Sequence, residues 1–162
     1  MNTNFMKAMI VIISLGAMSG CGDKSKEVGE FKNDWLGNEI KIEALKDPKV
    51  TGIVCHFTHF DRGVWDRIGK GNWFEDPSNA SIDCQRSGPI DLAGVKLSKS
   101  GEEVFSQKQS LFFKNVAVRR VVDLENRAVL YVVYSRKVVD GSAKMNLSTV
   151  PLTDEEVATA QN

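Results

Sequence analysis

Two histidines, three cysteines and a scatter of carboxylates are the groups in this 162-residue chain whose types suit chemistry. Both histidines fall in Cys55-His56-Phe57-Thr58-His59. Acyl transfer needs a serine or cysteine nucleophile beside a histidine base that a third group orients. On an extended strand, side chains three apart point to opposite faces, so His56 and His59 do not converge on one substrate. No serine stands in a Gly-x-Ser-x-Gly elbow. Gly63 to Gly71 has the glycines of a phosphate loop, but five residues separate Gly63 from Gly69 where four are required. Gly71 also stands where the magnesium-binding Ser or Thr belongs. Glu75-Asp76 and Glu102-Glu103 are adjacent carboxylates. Glycosidic cleavage needs two carboxyls facing each other across a cleft, which adjacency does not supply. They read first as solvated turn residues. Glu75-Asp76 is kept for an alternative, a hydrolase or transferase acting on an envelope component.

The cysteines say more about place than about reaction. Lys7 followed by the apolar run Ala8 to Ala17 has the form of an export signal. The run is about half the length of a membrane-spanning helix, which needs about 20 apolar residues. It ends in Met18-Ser19-Gly20-Cys21, which resembles the lipobox of bacterial lipoproteins: residues 1–20 are cleaved and Cys21 is lipidated. Met18 departs from the Leu usual at its position, and an ordinary signal peptide with an incidental Cys21 is the alternative. Residues 21–30 then read as a tether. Gly22, rather than Asp, follows the cysteine and favours the outer over the inner membrane. Cys55 and Cys84 remain, an even pair in an oxidising compartment. A disulfide between Cys55 and Cys84 is expected, with two separate buried thiols or a metal site with His59 as the alternatives. The metal lacks a Cys-x-x-Cys spacing, and no metal or cofactor is expected.

Two further groups suit binding. Arg119-Arg120 and Arg136-Lys137 put cations on both arms of a valine-rich stretch, where a charge is costly unless exposed or paired. Ion pairing is the plain account. The sharper one makes Arg119 and Arg136 a patch for an anionic glycan or lipid headgroup. Trp65, Trp73 and Phe74 lie in Asp61 to Pro77, a segment without sustained periodicity. They serve either as loop anchors or as a binding surface for an envelope protein or glycan.

The elements that must position these groups are strands. Glu39 to Leu45 alternates with period two, and Asp47-Pro48 turns it. Val50 to Phe60 carries Cys55, while Ala80 to Gln85 carries Cys84 and ends at Gly88-Pro89. Nine of the 24 residues from Val116 to Val139 are valine, broken at Glu125-Asn126, which predicts a long hairpin. Its second arm is apolar at both parities, which predicts burial on both faces. Lys144 to Val150 forms a last strand, and Thr153 to Glu156 has capping-box spacing for a short helix in an acidic tail, 153–162. Hydrophobic residues are 42% and charged residues 26%, with 21 cations against 21 anions. That composition excludes a disordered tail, and the balance excludes a basic field for nucleic acid. The expected fold is all-β, one domain over 31–152, an antiparallel sheet forming a sandwich or partly closed barrel with few short helices.

A resemblance narrows this. Glu75 to Gln85, Gly88-Pro89-Ile90, Phe31-Lys32, Asp47-Pro48-Lys49-Val50, Cys55, Glu103-Val104-Phe105, Leu111 to Lys114 and Tyr134-Ser135 resemble the CreA family. Lys137-Val138-Val139, Gly141-Ser142, Lys144 and Val150-Pro151 continue the match. These are small exported bacterial proteins named for a link to catabolite regulation. The resemblance implies a periplasmic protein with Cys55 and Cys84 as a pair, and it implies no established activity. The lipobox cysteine and His56, where a Tyr is common, are departures that argue against a shared catalytic histidine.

Overall fold

The computed structural model describes residues 24–63, 65, 68–69, 79–138, 141 and 143–160. Two four-stranded antiparallel meanders make up the fold. The first holds β1 (Lys26–Lys32), β2 (Glu39–Lys46), β3 (Thr51–Asp61) and β4 (Ala80–Asp91) in that spatial order. The second holds β5 (Glu102–Glu103), β6 (Val116–Asp123), β7 (Ala128–Ser135) and β8 (Met145–Pro151). A 3₁₀ turn, Leu111–Lys114, precedes β6, and a helix α1, Asp154–Thr159, ends the described chain. Thr153 and Glu156 close a capping box at its start. Among the described residues, no helix is long and apolar enough to cross a membrane.

Alternation decides which side chains go inward. Leu45, Ile53, Cys55, Phe57, Ile82 and Cys84 from the first sheet are buried against Val118, Val129, Tyr131, Val133 and Val150 from the second. Phe57 meets Phe105 and Phe113 edge-on, with ring centroids 5.2 and 5.4 Å away. This is the expected all-β sandwich. One expectation needs correcting. β7 pairs on both edges, yet apart from Ala128 only its inward residues are buried, while Leu130, Val132 and Tyr134 are half-exposed. Apolarity at both parities marked a central strand, not a second covering layer. Two boundaries also differ. Lys26 to Glu30, assigned to the tether, form most of β1. β4 runs on through Gly88-Pro89 because Ser87 to Ile90 bulge out of the ladder: Ile53 pairs with Arg86 and Thr51 with Asp91. A proline is tolerated where no ladder donor is needed.

Cys55 and Cys84 stand directly opposite each other on β3 and β4 and are joined by a disulfide. The backbone N–H of Cys84 faces away from β3, toward Ser148 on β8. The pair is therefore of the non-hydrogen-bonded kind, where opposed residues approach most closely. Along the same edge, the N–H of Ile82 donates to Asn146 Oδ1 at 3.1 Å and that of Cys84 to Ser148 Oγ at 2.7 Å. Arg86 Nη2 donates to the Pro151 carbonyl at 2.7 Å. The two sheets thus meet along a β4–β8 seam closed by side chains, which makes the sandwich a partly closed barrel.

Candidate functional site

A cleft of about 580 Å³ opens between the β2–β3 turn and the β4 bulge, lined by Lys46 to Pro48, Val50 to Ile53, Ser87 to Pro89 and Gln109. Its narrow point is a backbone contact. Gly52 has φ +76°, and a Cβ there would stand 2.1 Å from the Pro89 carbonyl oxygen. Only glycine permits both the positive φ and the approach. Exposed Thr51 and Ser87 offer hydroxyls at the rim, and Pro48 and Pro89 offer apolar faces.

Behind the cleft lies a buried ionic network. Asp47 Oδ1 accepts from the N–H groups of Lys49 (2.8 Å) and Val50 (2.9 Å), which fixes the turn, and from Arg120 Nη1 at 2.6 Å. Asp47 Oδ2 accepts from the Tyr131 hydroxyl at 2.7 Å. Arg120 Nη2 reaches Glu102 Oε2 at 2.8 Å, and Lys49 pairs with the other Glu102 oxygen. The side chains of Asp47 and Arg120 are 0% and 1% exposed. Burial, with the Asp47 charge beside it, pushes the Tyr131 hydroxyl far above its usual range. Lys49, aided by Arg120, holds the Glu102 carboxyl down. Carboxylate, guanidinium and phenol are thus joined in one buried hydrogen-bonded network.

A second, more polar groove of about 560 Å³ runs between β2, β3 and the 3₁₀ turn. His59 Nε2 lies 3.0 Å from Glu43 Oε1, and the ring stacks on Phe112 with centroids 4.5 Å apart. Burial pushes the Glu43 carboxyl up, but hydrogen bonds led by that from His59 outweigh it and hold it at about 2. Ser110 Oγ donates to the same Glu43 oxygen, at 3.1 Å. The hydroxyl therefore serves the carboxylate and is not presented to the imidazole as a nucleophile.

The family model described as CreA protein matches residues 28–155. The chain belongs to the CreA family. Protein CreA of Escherichia coli strain K12 is 37% identical over 155 residues, spanning 91% of this chain and 97% of the relative. The proteins of the same name from Escherichia coli O6:H1 and O157:H7 align to the same extent. No solved structure matches. Two segments that carry the CreA likeness, Asp47 to Val50 and Gly88 to Ile90, meet at the cleft although they are some forty residues apart in the chain.

The residues singled out in this CreA chain by sequence scatter. Cys55 and Cys84 form the pair that the family resemblance implies. Arg119 Nη1 donates to the Ser100 carbonyl at 2.7 Å, and Arg136 pairs with Glu103. Both thus sit at the β5 margin with partners. Trp65 is 73% exposed beyond the end of β3, on the other sheet. Cys21, Trp73, Phe74, Glu75 and Asp76 lie outside the described residues. Among the described residues, no group of three or more His, Cys, Asp or Glu could hold a metal ion. Sequence reasoning passed over Arg120 in favour of Arg119, though a signal was there. In Val118-Arg119-Arg120-Val121-Val122, Arg120 shares the parity of the inward Val118 and Val122. Once inward, it requires a buried acid.

Proposed function

We propose that this CreA-family chain is an exported lipoprotein, anchored by acylated Cys21 to the periplasmic side of a membrane, the outer rather than the inner. In this reading it works as a non-enzymatic binding or accessory protein of the envelope. The export signal, the lipobox and a disulfide suited to an oxidising compartment support the location. One observation carries the binding reading. The cleft is preformed, and its buried acid Asp47 already accepts four hydrogen bonds, about as many as a carboxylate can take. A carboxylate so engaged shapes a surface and does not shuttle protons. The ligand that fits offers hydrogen-bonding groups for Thr51, Ser87 and Gln109 and an apolar side for Pro48 and Pro89, as a glycan or a peptide segment of an envelope protein does.

A photo-crosslinking residue at Thr51 or Ser87, in intact cells, tests this against the same residue at exposed Glu125, which does not line the cleft. Discrete adducts from the first two positions and none from the third are expected. Equal adducts from all three overturn the binding reading. Labelled fatty acid should enter the chain through Cys21, and Cys21→Ser should release it from membranes; retention of that variant at high salt overturns the anchor.

A further inference from the structure

From the outward face of the first sheet we infer a second contact with the membrane: that face, at its Trp35 end, lies against the bilayer surface to which Cys21 is tied. The inference rests on the lipid anchor proposed above. Phe31, Ile40 and Phe60 are register partners across β1, β2 and β3, so their side chains share one face. Phe60 has the parity opposite to buried Phe57, which turns that face away from the core. A shallow hollow of about 300 Å³ opens there beside Ile40, Thr58 and Phe60. At the same end the exposed apolar residues collect. Phe31 is 53% exposed and Trp35, in the β1–β2 turn, 90%. The turn is bound to the chain leaving β3: the Gly63 N–H donates to Asn38 Oδ1 at 3.0 Å. A Cβ on Gly63 would stand 2.5 Å from the Gly37 carbonyl oxygen. Trp65 and Ile68, 73% and 50% exposed, follow immediately.

Three observations select a lipid surface as the occupant. β1 starts five residues after Cys21, so an extended tether reaches at most roughly 18 Å and keeps this edge strand at the membrane. Among the paired positions of that outward face, Lys26 and Lys46 balance Asp83 and Asp91, so no net negative charge repels anionic headgroups. Exposed tryptophan beside phenylalanine is the composition that settles at the headgroup boundary. The opposite sheet also shows outward Met145 and Leu147, but no tether leads to it.

The test uses the full chain, expressed so that it is exported and processed, purified, and placed in vesicles of phosphatidylethanolamine and phosphatidylglycerol. Trp65→Phe with Trp73→Phe leaves Trp35 as the single reporter. A control carries all three Trp→Phe changes and Leu147→Trp on the far sheet. Acyl chains brominated near the headgroup should quench Trp35 at least twofold more than the single tryptophan of the control, and intact folds are checked by circular dichroism. Acylated protein whose Trp35 is quenched no more than the control overturns the docking while leaving the anchor standing. So does a doubling of mass in detergent that protects Trp35 without bilayer. Protein whose mass shows no acyl group at Cys21 overturns both.

Discussion

Replacing Arg120 by methionine probes the network beneath the cleft. The change keeps most of the aliphatic volume and deletes the guanidinium. Asp47, with a side chain 0% exposed, is then left charged with one phenol and two backbone N–H groups. Removing one member of a buried pair costs about 3–5 kcal/mol, mostly because the other stays desolvated. Asp47→Asn should cost a similar amount for the reciprocal reason. Tyr131→Phe, which removes a single hydrogen bond to a charged acceptor, should cost about 1.5–3 kcal/mol. At roughly 3 °C per kcal/mol for a domain of this size, Arg120→Met lowers Tm by about 10–15 °C. The assay is urea unfolding followed by tryptophan fluorescence with the disulfide intact. The double variant Asp47→Asn, Arg120→Met should cost less than the sum of the single changes, because neither leaves an unmatched charge. A cost below about 1 kcal/mol for Arg120→Met, or strict additivity in the double, would refute the reasoning.

Three other outcomes follow from the geometry. The Glu156 carboxyl is held at about 2, below its ordinary 4.5, chiefly by Arg86, with the Thr153 and Ile90 N–H groups also donating. A depressed carboxylate stabilises fully above its unfolded value and loses that contribution as pH falls from about 4.5 toward 2. Glu156→Gln should abolish this part of the acid transition, roughly 2 kcal/mol after solvent screening, as read by Tm against pH. Cys55→Ser with Cys84→Ser should cost about 3.5 kcal/mol, the loop-closure term for a sequence separation of 29, and a reducing agent should shift the wild type equally. Gly52→Ala should destabilise by about 2 kcal/mol or more and lower crosslinking from Thr51, whereas Gly94→Ala, with open space around its Cβ, should do less in both assays.

How much of this could be read in advance depends on the range of the interaction. The strands announced themselves through period-two alternation in Glu39 to Leu45 and the valines after Val116, because burial of one face leaves a local record. Turns at Asp47-Pro48 and Glu125-Asn126 were legible for the same reason. The cleft was not. Its existence depends on Gly52 meeting Pro89, a contact between backbones nearly forty positions apart, and a lone glycine in a strand does not say what it approaches. Arg120 needed its parity read against two valines and a partner acid that sits in a different sheet. The β4–β8 seam was invisible: Asn146 and Ser148 look like ordinary polar residues of a strand until Ile82 and Cys84 are placed opposite them.

That seam has a consequence for crowding. A wall sealed by main chain accepts almost any residue, whereas this one depends on three side chains, the Asn146 amide, the Ser148 hydroxyl and the Arg86 guanidinium. Exchange the first two for valine and two idle donors line a bare strand margin, the kind of margin along which another polypeptide lays itself down. Asn146→Val with Ser148→Val should therefore lower solubility at high concentration, although neither side chain takes part in the cleft.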